Sequence, residues 1–217
     1  MNHNIAIDGP AGAGKSTIAK RIAEKLGYIY VDTGAMYRAL GLHLLRSGIA
    51  ADDTEAIIRA SEDADITLSF EKGEQIVLLN GENVNGLIRT EEVGNMASAC
   101  SVHAKVREKM VRRQQEMART RDVVMDGRDI CSVVLPDASV KVFLTASVAV
   151  RAKRRFDELT AKGIACDLSE IEADIRERDH RDMTREVTPL KQAPDATLVD
   201  SSDMAIDEVV DAIIGLR

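Results

Sequence analysis

The sequence predicts an α/β fold in which a mostly parallel sheet is flanked by helices. Three observations support this. Short apolar runs alternate with segments of helical periodicity along the 217 residues. A glycine-rich turn over Gly9–Lys15 separates the first apolar run from the first helical pattern. Residues 65–85 interrupt the alternation with a β-rich stretch, so we expect a small antiparallel sheet inserted into the chain.

Each element follows from local patterning. Strands of the main sheet are expected where apolar residues run together, at 4–8, 28–31, 123–125, 140–144 and 197–199. Helices are expected over about 15–26, around Met36–Leu45, and over 53–62, 90–120, 148–162, 168–185 and 204–215. Such alternation predicts ligand binding beyond the carboxyl ends of the strands. Asp32, Asp126 and Thr145 fall at those ends.

The inserted sheet is predicted from alternation and one turn signal. Asp65–Phe70 alternates in polarity, and Glu71–Glu74 is typical of a turn. Ile76–Leu79 is followed by Asn80-Gly81. Asn-Gly favours a two-residue hairpin because both residues tolerate positive φ.

Composition and charge exclude several classes of protein. The chain is 45% hydrophobic and 30% charged, which is typical of a globular protein. A net charge of −7, the absence of tryptophan and only three tyrosines and three phenylalanines argue against a nucleic-acid partner. Apolar runs are shorter than the roughly 18 residues that span a bilayer, so no membrane association is expected.

The cellular location is predicted from the cysteines and from the start of the chain. Cys100, Cys131 and Cys166 have neither pairing nor metal-binding spacing, and we expect each to be a small buried hydrophobic residue. The first strand begins so close to Met1 that no signal peptide is expected. We therefore expect a cytoplasmic protein.

The glycine-rich turn has the sequence of a phosphate-binding loop. It matches G-x-x-x-x-G-K-[ST], with a strand before it and a helix after it. Its glycines let the backbone turn N–H groups inward, and the helix N-terminus adds positive potential. The lysine can then reach the β- and γ-phosphates of a nucleoside triphosphate, and a hydroxyl can hold Mg²⁺. The residues are Gly9, Pro10, Ala11, Gly12, Ala13, Gly14, Lys15, Ser16 and Thr17.

A carboxylate follows the apolar run Val123–Met125. Asp126 stands where proteins with this loop keep an acidic residue for Mg²⁺ or its water. Gly127 permits close backbone approach. Arg128 is then expected near the phosphates, and Asp129 can accept hydrogen bonds from a base or a sugar. A capped turn without ligand is the alternative.

Three further segments carry candidate anion-binding groups. Asp32–Arg38 places a hydroxyl at a helix start with an arginine one turn later, although a helix cap with a solvated arginine gives the same pattern. Two later helices each place charged residues on one face. They could form a lid over a triphosphate and an anion site, or else a solvated basic face and an intrahelical ion-pair ladder. These sets are Arg151, Arg154 and Arg155, and Arg178, Asp182 and Arg185.

The order of these motifs resembles that of the bacterial cytidylate kinases, P-loop nucleoside monophosphate kinases that phosphorylate CMP and dCMP. The resemblance runs from end to end. The matching blocks are Asp8–Thr17, Asp32–Arg38, Asn80-Gly81, Ile88–Val93, Ala97-Ser98, Val106-Arg107, Arg112–Gln115, Asp126–Asp129, Val133–Ala138, Arg154-Arg155, Arg178–Arg185 and Pro189-Leu190.

This resemblance implies one P-loop kinase domain over residues 1–217. It implies an acceptor-binding region at about 33–105, which contains the insert, and a lid at about 151–165. The implied reaction transfers the γ-phosphate of ATP to CMP or dCMP, with Mg²⁺ as cofactor. We expect a monomer, because no motif indicates an oligomer.

The resemblance also implies residue roles. Ser98 and Asp129 would read the cytosine, and Asp182 would hold the sugar. Ser16 and Asp126 would hold Mg²⁺, directly or through water. Lys15, Arg128, Arg154 and Arg178 would be catalytic. ATP would be bound by Gly9–Thr17 with Arg151, Arg154 and Arg155. CMP would be bound by Thr33, Tyr37, Arg38, Ser98, Arg107, Arg128, Asp129, Arg178, Asp182 and Arg185.

Two departures and two alternatives stand beside this interpretation. Many nucleoside monophosphate kinases have glycine at the position of Ser16, so either Ser16 or Thr17 could ligate Mg²⁺. Thr33 is serine in some members, which preserves the hydroxyl. A kinase for UMP, AMP or a non-nucleotide acceptor is one alternative, although Asp126–Asp129 differs from the D-G-x-P-R signature of adenylate kinases. A nucleotide-binding switch is the other, although the chain lacks an N-K-x-D motif.

Overall fold

The computed structural model describes residues 3–71 and 74–217. The centre of the turn predicted at Glu71–Glu74 therefore lies outside the described residues. The chain forms two compact units. The first unit comprises residues 3–28 and 124–217, and the second comprises the described residues of 29–123.

Strands and helices alternate as predicted. The strands are β1 (Ile5–Asp8), β2 (Ile29–Asp32), β3 (Ile66–Glu71), β4 (Glu74–Leu79), β5 (Glu82–Asn83), β6 (Val123–Gly127), β7 (Val140–Thr145) and β8 (Thr197–Asp200). The helices are α1 (Lys15–Leu26), α2 (Thr33–Arg46), α3 (Thr54–Asp63), α4 (Glu91–Cys100), α5 (Ala104–Thr120), α6 (Val148–Ala161), α7 (Leu168–Thr184) and α8 (Ile206–Ile214). A single π-helical turn over Ile130–Val134 follows β6.

The larger sheet confirms the predicted fold class. Its strand order is β2-β6-β1-β7-β8. β1 pairs in parallel with both β6 and β7, and β7 pairs in parallel with β8. Ile5, Ala6 and Ile7 have no solvent exposure, as expected for a central strand covered on both faces. The carboxyl ends of β1, β6, β7 and β8 consequently share one edge, where the phosphate-binding loop begins.

The smaller sheet lies in the second unit and confirms the predicted antiparallel insert. Its order is β3-β4-β5, with Leu79 opposite Glu82. Asn80 and Gly81 form the two-residue turn between β4 and β5, with φ values of 50° and 83°. Positive φ at both central residues is the reason that Asn-Gly is suited to this position.

The core of the second unit is built around α2. Met36, Leu40 and Leu44 are buried at the predicted helical spacing. Gly41 lies where α2 meets α4, and a Cβ there would come within 2.9 Å of the backbone of Ala97. Glycine at this position therefore permits a close helix–helix approach that any side chain would prevent.

The structure differs from the sequence-based expectations at three places. The helical pattern over 90–120 corresponds to two helices, because the helical conformation is interrupted between α4 and α5. In this connection the carbonyl oxygen of Ser101 accepts a hydrogen bond from Arg107 at 3.0 Å. The π-helical turn was not expected from periodicity. Cys100 and Cys131 are buried as predicted, but the prediction for Cys166 is wrong. Cys166 is only half-buried because it lies in the connection between α6 and α7.

Among the described residues, no helix is both long enough and apolar enough to span a membrane.

Candidate active site

The phosphate-binding loop has a backbone that its glycines make possible. Gly9, Gly12 and Gly14 have φ values of 151°, 74° and 87°. A Cβ on Gly9 would lie 1.9 Å from the carbonyl oxygen of Leu144 in β7, so only glycine fits beside that strand. α1 begins at Lys15 without a side-chain cap. The N–H groups of its first turn are therefore available for an anion.

Lys15 is the lysine of this loop, and its side chain folds back over it. Nζ donates to the carbonyl oxygen of Pro10 at 2.7 Å, and the residue is 6% exposed. Burial and the positive charge of Arg128 lower the pKa of Lys15 to about 7, although Asp126, Asp8 and Asp182 oppose the shift. The lysine thus faces an arginine and several carboxylates of the first unit, where a negatively charged ligand would restore its full charge.

Ser16 and Asp126 place two oxygen atoms next to each other. The hydroxyl of Ser16 donates to Oδ2 of Asp126 at 3.1 Å. Among residues 3–71 and 74–217, no cluster of three or more His, Cys, Asp or Glu residues could hold a metal ion by itself. A hydroxyl and a carboxylate nevertheless fit Mg²⁺, because this ion usually takes one or two protein oxygens and completes its shell with substrate phosphates and water.

Asp8 fixes the backbone that follows β6. Its carboxylate accepts from the backbone N–H groups of Ile130 and Cys131, both at 2.8 Å. Burial raises the pKa of Asp8, while these backbone bonds oppose the shift. The carboxylate thereby holds the start of the π-helical turn immediately after Asp129, which is itself buried. The sequence placed Asp8 in a matching block but gave it no role.

Arg128 is held in place by α7. Its Nε donates to Oδ2 of Asp182 at 2.7 Å, and NH1 donates to the carbonyl oxygen of Gly127. Burial alone would raise the pKa of Asp182, but the charge and hydrogen bond of Arg128, followed by the charges of Arg178 and Arg185, hold that pKa below its usual value. Nε of Arg185 also donates to the carbonyl oxygen of Thr188 at 2.7 Å.

The three arginines of α6 have different surroundings. Arg151 is buried, and NH1 donates to the carbonyl oxygen of Ala11 at 2.8 Å. Arg154 donates to the carbonyl oxygen of Ser201 at 2.6 Å. Arg155 forms an exposed ion pair with Glu158. The three arginines lie on one face of α6, as predicted, since all three line one cavity. Arg151 is buried and fixed by its hydrogen bond to the loop, whereas Arg155 is at the surface.

That cavity is a candidate nucleotide pocket within the first unit. Its volume is about 600 Å³, within the usual range for small-molecule sites. Phosphate-loop residues and the arginines of α6 form one part of its lining. The other part contains residues that the sequence analysis did not identify: Ser201, Met204, Ala205, Ile206 and Val209. The weak signal for them was their position directly after β8, at the carboxyl edge of the sheet.

The second unit contains a separate group of predicted site residues. Asp32 caps α2, since Oδ1 accepts from the N–H of Ala35 at 2.9 Å, and Oδ2 pairs with Arg89 at 2.7 Å. Arg38 donates to the carbonyl oxygen of Ile88 at 3.3 Å. The helix cap offered by the Asp32–Arg38 pattern is thus present, and Arg38 donates to a backbone carbonyl rather than only to solvent. The anion-binding alternative stays a prediction.

Arg107 and Tyr37 lie together in the second unit. Arg107 is 4% exposed, and its guanidinium carbon is 5.8 Å from the centroid of the Tyr37 ring. Thr33 is buried at the start of α2, and Ser98 is half-buried on α4. α4 also approaches Arg38 closely, because a Cβ on Gly94 would lie 2.9 Å from NH1 of that arginine.

Comparison with known proteins identifies the family. A family model described as cytidylate kinase matches residues 5–216. The chain belongs to the cytidylate kinase family. A cytidylate kinase from Caldicellulosiruptor saccharolyticus is 51% identical over 213 residues, which cover 98% of this chain and 94% of that protein. One from Lactobacillus johnsonii is 53% identical over 206 residues, which cover 95% and 90%.

A solved structure also supports the fold. An uncharacterized protein from Eubacterium ventriosum has a TM-score of 0.52 and 14% identity, covering 99% of this chain and 97% of that one. At this identity the likeness concerns the fold alone.

The site residues predicted from the sequence are distributed over the two units. Those of the first unit are Gly9–Thr17, Asp126, Arg128, Asp129, Arg151, Arg154, Arg155, Arg178, Asp182 and Arg185. Those of the second are Thr33, Tyr37, Arg38, Ser98 and Arg107. Within the first unit, contacts or charges join Lys15, Ser16, Asp126, Arg128 and Asp182.

Proposed function

We propose that this protein transfers the γ-phosphate of ATP to CMP or dCMP, giving ADP and CDP or dCDP. The observation that carries the proposal is the juxtaposition of Lys15 with Arg128 and Asp182 in the first unit. It supplies two cations and a positioning carboxylate beside a phosphate-binding loop. Membership of the cytidylate kinase family gives the reaction class and supports cytosine as the acceptor base.

The donor half of the reaction uses the loop and α6. The backbone N–H groups of Gly9–Thr17 and the ammonium group of Lys15 would bind the β- and γ-phosphates. Arg154 and Arg155 line the cavity beside the loop and would meet the same phosphates, with Arg151 beneath them. We assign the cavity residues Ser201 and Met204 to the nucleoside of ATP, because they line the same cavity as the phosphate-binding loop.

The acceptor roles rest on the family resemblance and are proposed residue by residue within each unit. Thr33, Tyr37, Arg38 and Arg107 would bind the acceptor on the second unit, with Ser98 reading the cytosine. For the first unit the same resemblance implies Arg128 and Arg178 at the acceptor phosphate with Arg185, Asp129 at the base, and Asp182 at the sugar.

Transfer itself requires positioning and charge stabilisation. The acceptor phosphate is already ionised at neutral pH, so its oxygen attacks the γ-phosphorus without a general base. Negative charge spreads over the equatorial oxygens of the transferring group, and Lys15, Arg128, Arg154 and Arg178 would stabilise it. No covalent intermediate is formed on the protein.

Mg²⁺ is the proposed cofactor, and Ser16 with Asp126 would hold it. Bound there, the ion would neutralise part of the negative charge of the donor phosphates. The distance of 3.1 Å between the Ser16 hydroxyl and Asp126 favours Ser16 over Thr17 as the ligand, which is an extension of the sequence-based expectation.

The proposed function includes a domain organisation, a cellular location and an oligomeric state. Residues of about 33–105 would form the acceptor-binding region, and residues of about 151–165 would form the lid of one kinase domain. The protein would act as a cytoplasmic monomer. Size-exclusion chromatography with light scattering tests the oligomeric state directly.

The decisive experiment measures ADP formation from MgATP with CMP, dCMP, UMP, AMP or no acceptor. We expect rapid turnover with CMP and dCMP and slow turnover with the others. Turnover with AMP or UMP alone would keep the phosphoryl transfer but overturn the roles of Ser98 and Asp129. Acceptor-independent hydrolysis would instead favour a nucleotide-binding switch.

A further inference from the structure

Arg151 makes three buried hydrogen bonds that join separate parts of the first unit. Nε donates to the carbonyl oxygen of Ala146 at 2.9 Å. NH1 donates to the carbonyl oxygen of Ala11 at 2.8 Å. NH2 donates to Oδ2 of Asp179 at 2.7 Å. The side chains of Arg151 and Asp179 are 4% and 11% exposed, so water hardly competes for these bonds.

The first of the two distant contacts fixes the phosphate-binding loop. A loop that turns its N–H groups toward an anion must turn its carbonyl groups away, and the Ala11 carbonyl points to Arg151. The neighbouring Gly12 lies against the same side chain, since a Cβ there would be 3.4 Å from Cβ of Arg151. The Arg151 side chain therefore holds the backbone of the loop at Ala11 and Gly12.

The second contact fixes α7. Asp179 follows Arg178 directly, and Asp182 lies about one turn later on the same helix. Asp182 in turn accepts the hydrogen bond from Arg128. Holding the carboxylate of Asp179 thus fixes the helix that orients the Asp182–Arg128 pair.

We propose that Arg151 and Asp179 are a positioning pair that holds the phosphate-binding loop and α7 in one fixed arrangement. The pair keeps the donor-phosphate groups and Arg128 in register for transfer, and this role rests on the proposed kinase function. It acts through other residues, so neither member is assigned a contact with the transferring phosphate.

Two features favour positioning over stability alone. Oδ1 of Asp179 is buried without a hydrogen-bond partner among the described residues, which is a cost that an ion pair selected only for stability would avoid. Buried ion pairs are in general weak contributors to stability. They do, however, orient the elements that they join.

A role of the Asp179 carboxylate through its charge and a role in positioning predict opposite changes in ATP affinity when Asp179 is replaced. If the carboxylate acted only through its charge, its loss would leave Arg151 uncompensated near the triphosphate and would tighten ATP binding. If it positions the loop, its loss weakens ATP binding despite the gain in positive potential. The sign of the change in affinity therefore separates the two roles.

The test compares Asp179→Ala and Arg151→Lys with Asp174→Ala. Asp174 is exposed on α7, so its replacement removes the same charge from the same helix. Arg151→Lys keeps the charge but cannot make all three hydrogen bonds with one ammonium group. Isothermal titration with MgATP gives the affinity, turnover with CMP gives kcat and KM, and thermal melting reports folding.

We expect Asp179→Ala to weaken MgATP binding about tenfold or more and to lower kcat about a hundredfold, with Asp174→Ala within about twofold of wild type. Arg151→Lys should lose at least about tenfold in kcat. Unchanged or tighter ATP binding with near-normal kcat, even at a lower melting temperature, would overturn the inference. If Asp179→Ala does not fold, Arg151→Lys decides the question.

The experiment also separates this inference from the proposed function. Failure of the wild-type protein to phosphorylate CMP would contradict the proposed function, whereas the ATP-affinity comparison would still decide the role of the pair. Normal wild-type turnover together with unaffected variants would contradict the pair alone.

Discussion

The Nε–H of Arg128 donates to Oδ2 of Asp182 at 2.7 Å, and both side chains are largely buried. The charge of Arg128 helps to hold the pKa of Asp182 below its usual value against the opposing effect of burial. Asp182 is therefore ionised throughout the neutral range, and an arginine next to the phosphate-binding loop has a fixed orientation before any ligand arrives. Pre-set orientation of this kind avoids reorganisation during the reaction.

Asp182→Asn tests this arrangement. The amide loses the charge that orients Arg128 and weakens the proposed contact with the sugar hydroxyls. We expect kcat/KM for CMP to fall about a hundredfold or more. The loss with dCMP should be smaller, because dCMP lacks the 2′-hydroxyl and only the effect on Arg128 remains in full. Asp174→Asn on the same helix is the control. Equal losses for both acceptors would contradict the proposed contact of Asp182 with the sugar but would still support its role in orienting Arg128.

The two neighbouring hydroxyl groups of the loop can be distinguished by their magnesium dependence. The hydroxyl of Ser16 contacts Asp126, whereas no hydrogen bond joins Thr17 to that carboxylate within residues 3–71 and 74–217. We expect Ser16→Ala to raise the free Mg²⁺ concentration at half-maximal rate by about tenfold or more. Thr17→Ala should change it by less than about threefold. The measurement is initial rate against free Mg²⁺ at fixed ATP, and the reverse ranking would assign the ligand to Thr17.

The buried amine of Lys15 should lower the stability of the ligand-free protein although it is proposed to bind ATP. Burial and Arg128 lower its pKa from 10.5 to about 7 in the folded, ligand-free protein. The unfolded chain therefore binds more protons between these two values, so the free energy of unfolding should rise with pH across that window and lose this contribution as pH falls toward 7. Lys15→Met removes the buried amine and should stabilise the ligand-free protein near pH 7 by about 1 kcal/mol or more, while abolishing ATP binding.

The measurement is urea unfolding from pH 6.5 to 9 in the presence of EDTA, so that neither metal nor nucleotide contributes. Lys20→Met replaces an exposed lysine of the same helix and should leave both stability and its pH dependence nearly unchanged. A Lys15→Met variant that is less stable than wild type at pH 7 and has the same pH slope would contradict this account.

The local elements could be predicted because their causes are local. The Asn80-Gly81 turn, the buried helical face of α2 and the strand–loop–helix around Lys15 each depend on residues near one another in sequence. The candidate site residues were located partly from strand ends and helix faces, and partly from family resemblance. Periodicity by itself could not have assigned cytosine to Ser98 and Asp129.

The parts that escaped prediction depend on distant partners. Arg151 and Asp179 are 28 residues apart, and Arg151 and Ala11 are 140 residues apart. The helical pattern of α6 therefore could not distinguish these buried contacts of Arg151 from a solvated basic face. Asp8 holds backbone groups more than 120 positions away. The π-helical turn Ile130–Val134 begins at the two N–H groups that Asp8 binds, and its own apolar sequence does not predict it.

Gln75 shows how the inserted sheet supports the second unit. Its Oε1 accepts from the N–H of Asp32 at 2.8 Å, and its Nε2 donates to the carbonyl oxygen of Asp32 at 3.4 Å. One side chain of β4 therefore satisfies both backbone groups of the residue that caps α2. Because α2 begins with Thr33 and carries Arg38, the insert steadies the start of the proposed acceptor site.

Gln75→Met keeps the length of this side chain but removes both hydrogen bonds. Two backbone groups of Asp32 lose their partner, so the start of α2 should loosen without any change to the phosphate-binding loop. We expect the KM for CMP to rise about five- to tenfold, with the KM for ATP within about twofold of wild type. The control is Glu74→Gln, which alters the exposed preceding residue of β4. Steady-state kinetics with each substrate varied in turn provides both constants. A parallel rise in both KM values would show that Gln75 supports the whole protein rather than the acceptor site, because only a local effect spares ATP.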